Sequence, residues 1–137
     1  MERLKQRLQI ARQALTTLLE LTSQPSWKVI ERDAMIQRFE YTFEATWKAA
    51  QVYLRELEGV IANFPKSAVR LSWQTGLFDE QTARMALQMC EARNMTIHAY
   101  NEKIATSWAL QIREYSEVLQ EWLIAMEKHL TLKGIRS

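Results

Sequence analysis

The sequence predicts an all-α fold, an up-and-down helical bundle of four main helices plus one short helix. Three observations predict it. Gly and Pro are scarce, three and two among 137 residues, which argues against turn-rich sandwiches, collagen-like repeats and flexible linkers. Apolar residues recur at three- and four-residue steps through long windows, the period of one helical face. The few breakers fall between those windows, so they read as helix ends. Residues 1–137 are expected to form a single domain, long enough to bury a core without disulfides or metals.

Each element follows in turn. Leu4, Leu8, Ala11, Leu15, Leu18 and Leu19 share one face of a first helix. Ser23-Gln24-Pro25-Ser26 ends it, because Pro cannot continue a helix and restricts the residue before it. Ile36, Phe39, Phe43, Trp47, Ala50, Leu54 and Leu57 mark a longer helix from near Arg32, stopping at Gly59, a natural residue for a left-handed helix end. Asn63-Phe64-Pro65 feeds Pro into the first turn of a short helix that holds Val69, Leu71 and Trp73 and closes at Gly76. Asp79 is the expected N-cap of a fourth helix carrying Met85, Leu87, Met89 and Cys90. Asn101 is the expected cap of the last, with Ile104, Trp108, Ile112, Tyr115, Leu119, Trp122 and Met126 inward.

Composition excludes several functional classes. Eighteen Lys and Arg against sixteen Asp and Glu leave a net charge of +2, and no basic stripe announces a strong nucleic-acid binder. A pocket acting on RNA needs few charges and stays allowed. The single Cys90 forms no internal disulfide and suits a reducing compartment. Two histidines and one cysteine make no zinc site without several placed carboxylates. There is no Gly-rich phosphate loop and no Gly-x-Ser-x-Gly elbow. The charged N-terminus and the lack of a long apolar run predict a cytoplasmic chain that does not enter a membrane.

The candidate chemistry lies in Arg93-Asn94-Met95-Thr96-Ile97-His98-Ala99-Tyr100, at the junction of two predicted helices. Arg supplies a permanent forked cation suited to phosphate, and His exchanges a proton near neutral pH. Together they meet the needs of metal-free RNA cleavage: a base for the 2′-hydroxyl, an acid for the leaving oxygen and a cation for the crowded phosphate. On a straight helix, at about 100° per residue, Arg93 and His98 sit about 140° apart, while Arg93 and Tyr100 are only about 20° apart. Asn94 shares a face with His98 and can orient its ring. Either the helix unwinds before His98 or a second subunit completes the site.

Other conspicuous residues have ordinary structural readings. The Trp and Phe stripes are core, and Cys90 is a small buried hydrophobe. His129 interacts with a helix C-terminus. Glu40 and Glu44 are an exposed or partner-facing charge pair, and Arg3, Lys5, Arg7 and Arg12 a solvated face.

The segment Asp33-Ala34-Met35-Ile36-Gln37-Arg38-Phe39-Glu40, with Phe43-Glu44 and Trp47-Lys48, resembles the second helix of the bacterial nucleotidyltransferase substrate-binding protein family. Val69-Arg70 through Thr75-Gly76-Leu77-Phe78-Asp79 is similar to that family's short helix and its ending, and Arg93-Asn94 with His98 and Tyr100 to its Arg-x4-His-x-Tyr signature. That family lies in the HEPN superfamily, whose members are commonly paired with a minimal nucleotidyltransferase, MNT, as toxin and antitoxin.

The resemblance implies a helical homodimer in which Arg93 and His98, supported by Asn94, line a cleft between subunits and cleave RNA without metal. It implies that Tyr100 accepts AMP from the MNT partner, silencing the toxin. This chain would need no cofactor of its own; ATP and magnesium serve the partner enzyme. Relatives often carry Trp near Ala86, and Ser and Thr where this chain has Ile97 and Ala99. The alternative functions are a non-catalytic subunit that binds a substrate or nucleotide for a two-component nucleotidyltransferase, and a bundle adaptor without pocket chemistry.

Overall fold

The computed structural model describes residues 1–93 and 102–136. Its helices are α1 (Glu2–Thr22), α2 (Val29–Tyr53), α3 (Pro65–Gln74), α4 (Glu80–Arg93) and α5 (Glu102–Arg136), with a π-helical turn, Leu54–Glu58, ending α2. No strand occurs among the described residues. The predicted all-α bundle is what the chain adopts.

Cross-helix contacts give the direction of each element. The α-amino group of Met1 lies 3.5 Å from Glu56, so α1 begins where α2 ends. Arg12 grips Glu127, with its Nε donating at 3.2 Å, while Arg113 Nε donates to the Thr22 carbonyl at 3.0 Å; α1 and α5 therefore run antiparallel. Arg32 reaches Thr106 at 3.1 Å, which sets α2 parallel to α5. Thr82 meets Glu121, and Lys66 on α3 pairs with Glu91 on α4. α1 thus runs against both α2 and α5, and α3 packs on α4 and the end of α2.

The inward faces match the periodicity closely. Leu4, Leu8, Ala11, Leu15 and Leu18 of α1 are buried, as are Phe39, Phe43, Ala50 and Leu54 of the second segment. On α5, Trp108, Ile112, Tyr115, Leu119, Trp122 and Met126 are all buried. Phe39 is the hub: its ring centroid lies 5.9 Å from that of Tyr115 and 6.2 Å from that of Trp108. These separations allow the offset and edge-on contacts that aromatic quadrupoles favour. Asn101 and the side chain of Ile104 lie outside what is described.

Local chemistry refines the ends. The second helix starts at Val29, about one turn before Arg32, because the Glu31 carboxylate accepts the Lys28 backbone N–H at 2.8 Å and satisfies a donor at the helix end. Its other end widens into the π-turn, whose Leu54 carbonyl accepts from both Gly59 and Val60. Gly59 follows with φ +68°, the left-handed value that its lack of a side chain permits. Pro65 occupies the first turn of α3, and Asp79 accepts the Thr82 N–H at 2.8 Å as the cap of α4. That hydrogen bond holds the Asp79 carboxyl below its usual range.

Three expectations shift. Trp73 is carried by α3 but faces solvent, since Ala68, Val69 and Ser72 take the inward positions. On α4 the buried stripe is Thr82, Ala83, Ala86, Met89 and Cys90, leaving Met85 and Leu87 at its margins. Small residues there let the helix approach its neighbours closely. His129 is well inside α5, which continues to Arg136, so it does not stand at a helix terminus. No described helix is long and apolar enough to cross a membrane.

Candidate functional site

Arg93 is the last residue of α4 and the one member of the Arg-x4-His-x-Tyr stretch within the described residues. Asn94, His98 and Tyr100 lie outside them, as do Ile97 and Ala99. The place of Arg93 follows from its helix. Met89 and Cys90 pack inward one turn earlier, and the C-terminal end of α4 lies over the middle of α2. A cation in a last helical turn also complements the partial negative charge of the helix end.

The Arg93 side chain meets two groups from α2. Its guanidinium carbon stands 5.3 Å from the centroid of the Phe43 ring, a cation–π geometry. Its Nη2 pairs with Glu44 Oε1. The other Glu44 oxygen accepts the Trp47 indole N–H at 3.1 Å and has the Lys48 ammonium 4.0 Å away. Glu44 is therefore anchored on its own helix before it meets Arg93, and it aims the guanidinium. Both side chains keep about a third of their surface, 33% and 31%, so a phosphate can compete for the cation.

Arg93 is the ridge between two open clefts of about 490 Å³ each. One runs along α2 and is lined by Gln37, Glu40, Tyr41 and Glu44. The other lies between α2, the start of α3 and the end of α4, lined by Phe43, Phe64, Pro65, Lys66, Ser67, Arg70 and Cys90. Their charges differ in sign: the first presents carboxylates, the second presents cations.

Cys90 is buried at the second cleft, and burial pushes its thiol up to about 11 although Lys66 and Arg70 pull the other way. A thiol so protonated is a poor nucleophile, consistent with a packing role. No group of three His, Cys, Asp and Glu side chains suited to a metal ion occurs among the described residues.

Glu44 thus differs from its expected role as half of a charge pair with Glu40. Glu40 is exposed, while Glu44 turns toward Arg93. Lys66 went unremarked in the sequence and Arg70 entered only through the family resemblance, yet their spacing puts both on one face of α3 just after the Phe64-Pro65 turn. Arg12 is not simply solvated either: it ties α1 to α5 through Glu127.

The structure is similar to a crystal structure of a protein from Thermus thermophilus, with 44% identity, 85% of this chain and 98% of that chain covered, and a TM-score of 0.80. It shares its fold with a chain of a mutant of the toxin–antitoxin MntA–HpeT, at 13% identity, covering 93% of this chain and 99% of that one, with a TM-score of 0.74. It also shares it with a chain from the complex of tri-AMPylated Shewanella oneidensis HEPN toxin with MNT antitoxin, at 14% identity, 91% and 96% coverage and a TM-score of 0.68. Among curated proteins, none matches. Residues 3–128 match the family described as nucleotidyltransferase substrate binding protein like, and the chain belongs to that family.

Proposed function

We propose that this chain is the toxin of a HEPN–MNT pair, a metal-independent endoribonuclease neutralised when its partner nucleotidyltransferase transfers AMP to Tyr100. The observation that carries the reading is the setting of Arg93, a partly exposed guanidinium held by Glu44 and Phe43 on the ridge between two open clefts, one of them lined by Lys66 and Arg70. The shared fold with a tri-AMPylated HEPN toxin held by its MNT antitoxin supports the same pairing.

In the proposed reaction the 2′-hydroxyl oxygen of the RNA attacks the adjacent phosphorus as its proton leaves for a base. The bond from phosphorus to the 5′-oxygen breaks, and that oxygen takes up a proton. The products are a 2′,3′-cyclic phosphate and a 5′-hydroxyl, so atoms balance with no metal or redox partner. Arg93 stabilises the charge on the crowded phosphate, His98 transfers protons, and Asn94 orients His98 or the substrate. A symmetric homodimer brings two such sets to one cleft, each residue being placed twice by the two-fold axis. AMP on Tyr100 sets a second phosphate near Arg93, occupying the cation that RNA needs.

Expression with and without an adjacent nucleotidyltransferase gene tests this directly. The expected result is growth arrest rescued by the partner, with RNase activity reduced about 10²–10⁴-fold in His98→Ala and little changed by chelator. The partner with ATP and magnesium should add AMP to Tyr100, read by peptide mass spectrometry. Retained cleavage in both Arg93→Ala and His98→Ala proteins defeats the catalytic assignment, and a strict monomer at micromolar concentration defeats the dimer. The family's description as substrate binding favours a second reading, a non-catalytic subunit that presents a nucleotide to the transferase. Harmless expression together with nucleotide binding would select it.

A further inference from the structure

We propose that the cationic cleft beside Arg93 is a subsite for single-stranded RNA, in which Lys66 and Arg70 hold backbone phosphates and Phe64 stacks an unpaired base. The proposal takes its ligand class from the ribonuclease reading above and adds the residues that grip the strand beside the cut.

Charge is the first observation. The chain as a whole is nearly neutral at +2, yet this one cleft gathers Lys66, Arg70 and Arg93 and has no carboxylate in its lining. Glu91, which pairs with Lys66, and Glu44, which pairs with Arg93, approach from outside that lining. Arg70 makes no ion pair among the described residues and is exposed. Such a concentration of one sign in a concave surface favours a polyanion.

The second observation is Phe64. The Phe64 ring is 69% exposed, and the backbone that carries it is fixed by the cap of α3. Its backbone N–H donates to Ser67 Oγ at 3.0 Å, and the Ser67 hydroxyl donates back to the Phe64 carbonyl at 2.8 Å. Pro65 then restricts the backbone of the residue before it. The ring therefore stands on a fixed backbone in the lining of the cleft.

Spacing joins the two observations. Lys66 and Arg70 are one helical turn apart, about 6 Å along the axis, comparable to the step between neighbouring phosphates of a single strand. A tracking groove of cations with an aromatic platform is how sequence-tolerant single-strand binders work. Duplex RNA keeps its bases stacked and offers nothing to Phe64. An acidic peptide would use the cations alone.

The test measures fluorescence anisotropy of a labelled eight-nucleotide single-stranded RNA on the full chain, made non-cleaving by His98→Ala. Phe64→Ala is expected to weaken binding about tenfold, and Phe64→Trp to restore it. Lys66→Ala and Arg70→Ala should each weaken binding and lower the salt dependence by about 0.7 in the log–log slope. Glu91→Gln, which releases Lys66, should tighten it. Phe64, Lys66, Arg70 and Glu91 all reach the surface, so unchanged circular dichroism identifies folded variants. Losses in the Phe64, Lys66 and Arg70 variants support the subsite even if the parent cleaves no RNA, in which case the catalytic reading alone falls. A parent that cleaves RNA while these variants bind and cleave like it overturns the subsite and leaves that reading standing. No binding of the oligonucleotide at low salt, or equal binding of duplex RNA or free AMP, overturns the subsite.

Discussion

Arg93 and Cys90 lie on the same helix, one turn apart, and show how environment decides what a reactive group can do. Arg93 ends the helix with a third of its side chain open, beside an aromatic face and an anchored carboxylate. Cys90, buried on the inward stripe, has its thiol pushed up to about 11 chiefly by desolvation. Its folded value lies above the ordinary thiol value, so its contribution to stability is full below about pH 9 and is lost as pH rises through about 11. Native protein at pH 8 should therefore react with iodoacetamide on the order of 100-fold more slowly than unfolded chain. Labelling at equal rates would show that the thiol is neither buried nor held protonated.

Helix ends are where this sequence is most specific. Lys28 with Glu31, Phe64 with Ser67 and Asp79 with Thr82 each satisfy a backbone donor at the start of a helix. At the end of α2 the burden falls on Gly59, at φ +68° with open space where a Cβ would sit. Substitution there meets no clash, so its cost is backbone strain alone. Gly59→Ala should lower the unfolding free energy by about 1 kcal/mol, and Gly59→Asn by less, because Asn tolerates the left-handed region better. Equilibrium urea unfolding measures both. Gly59→Ala unfolding at the parent's midpoint would mean that the turn relaxes out of this conformation.

At the scale of the whole molecule, Trp122 ties α5 to α3 and to Phe78 in the turn that follows it. It is fully buried on α5, its ring centroid 5.8 Å from that of Phe78 and its indole N–H donating to Ser72 of α3 at 3.0 Å. Trp122→Ala should cost about 3–5 kcal/mol through lost burial and the cavity left behind. Ser72→Ala removes little volume but strands a buried N–H, costing about 1–3 kcal/mol. With Trp122→Phe the donor itself is gone, so the double variant Trp122→Phe/Ser72→Ala should cost less than the sum of its parts. Additive losses in thermal or denaturant unfolding would show that the hydrogen bond contributes nothing to joining α3 and α5.

Periodicity, breakers and caps determined the helices, their order and most of their inward faces, because those signals arise within a few residues of one another. They read Phe39, Phe43, Ile112 and Trp122 as core, and put Arg93 at a helix junction. Local signals did not reveal the π-turn at Leu54–Glu58, since the apolar steps run through it unchanged, nor that Trp73 would face water. They also paired Glu44 with its neighbour on the same helix, Glu40. Tertiary structure decided otherwise, bringing Glu44 to Arg93 and setting Lys66 and Arg70 of α3 in a cleft on the other side of that arginine. Which charges meet across helices depends on how far each helix slides and turns about its axis. That is settled by the fit of buried side chains such as Met89 and Phe43, and no single stretch of sequence contains it.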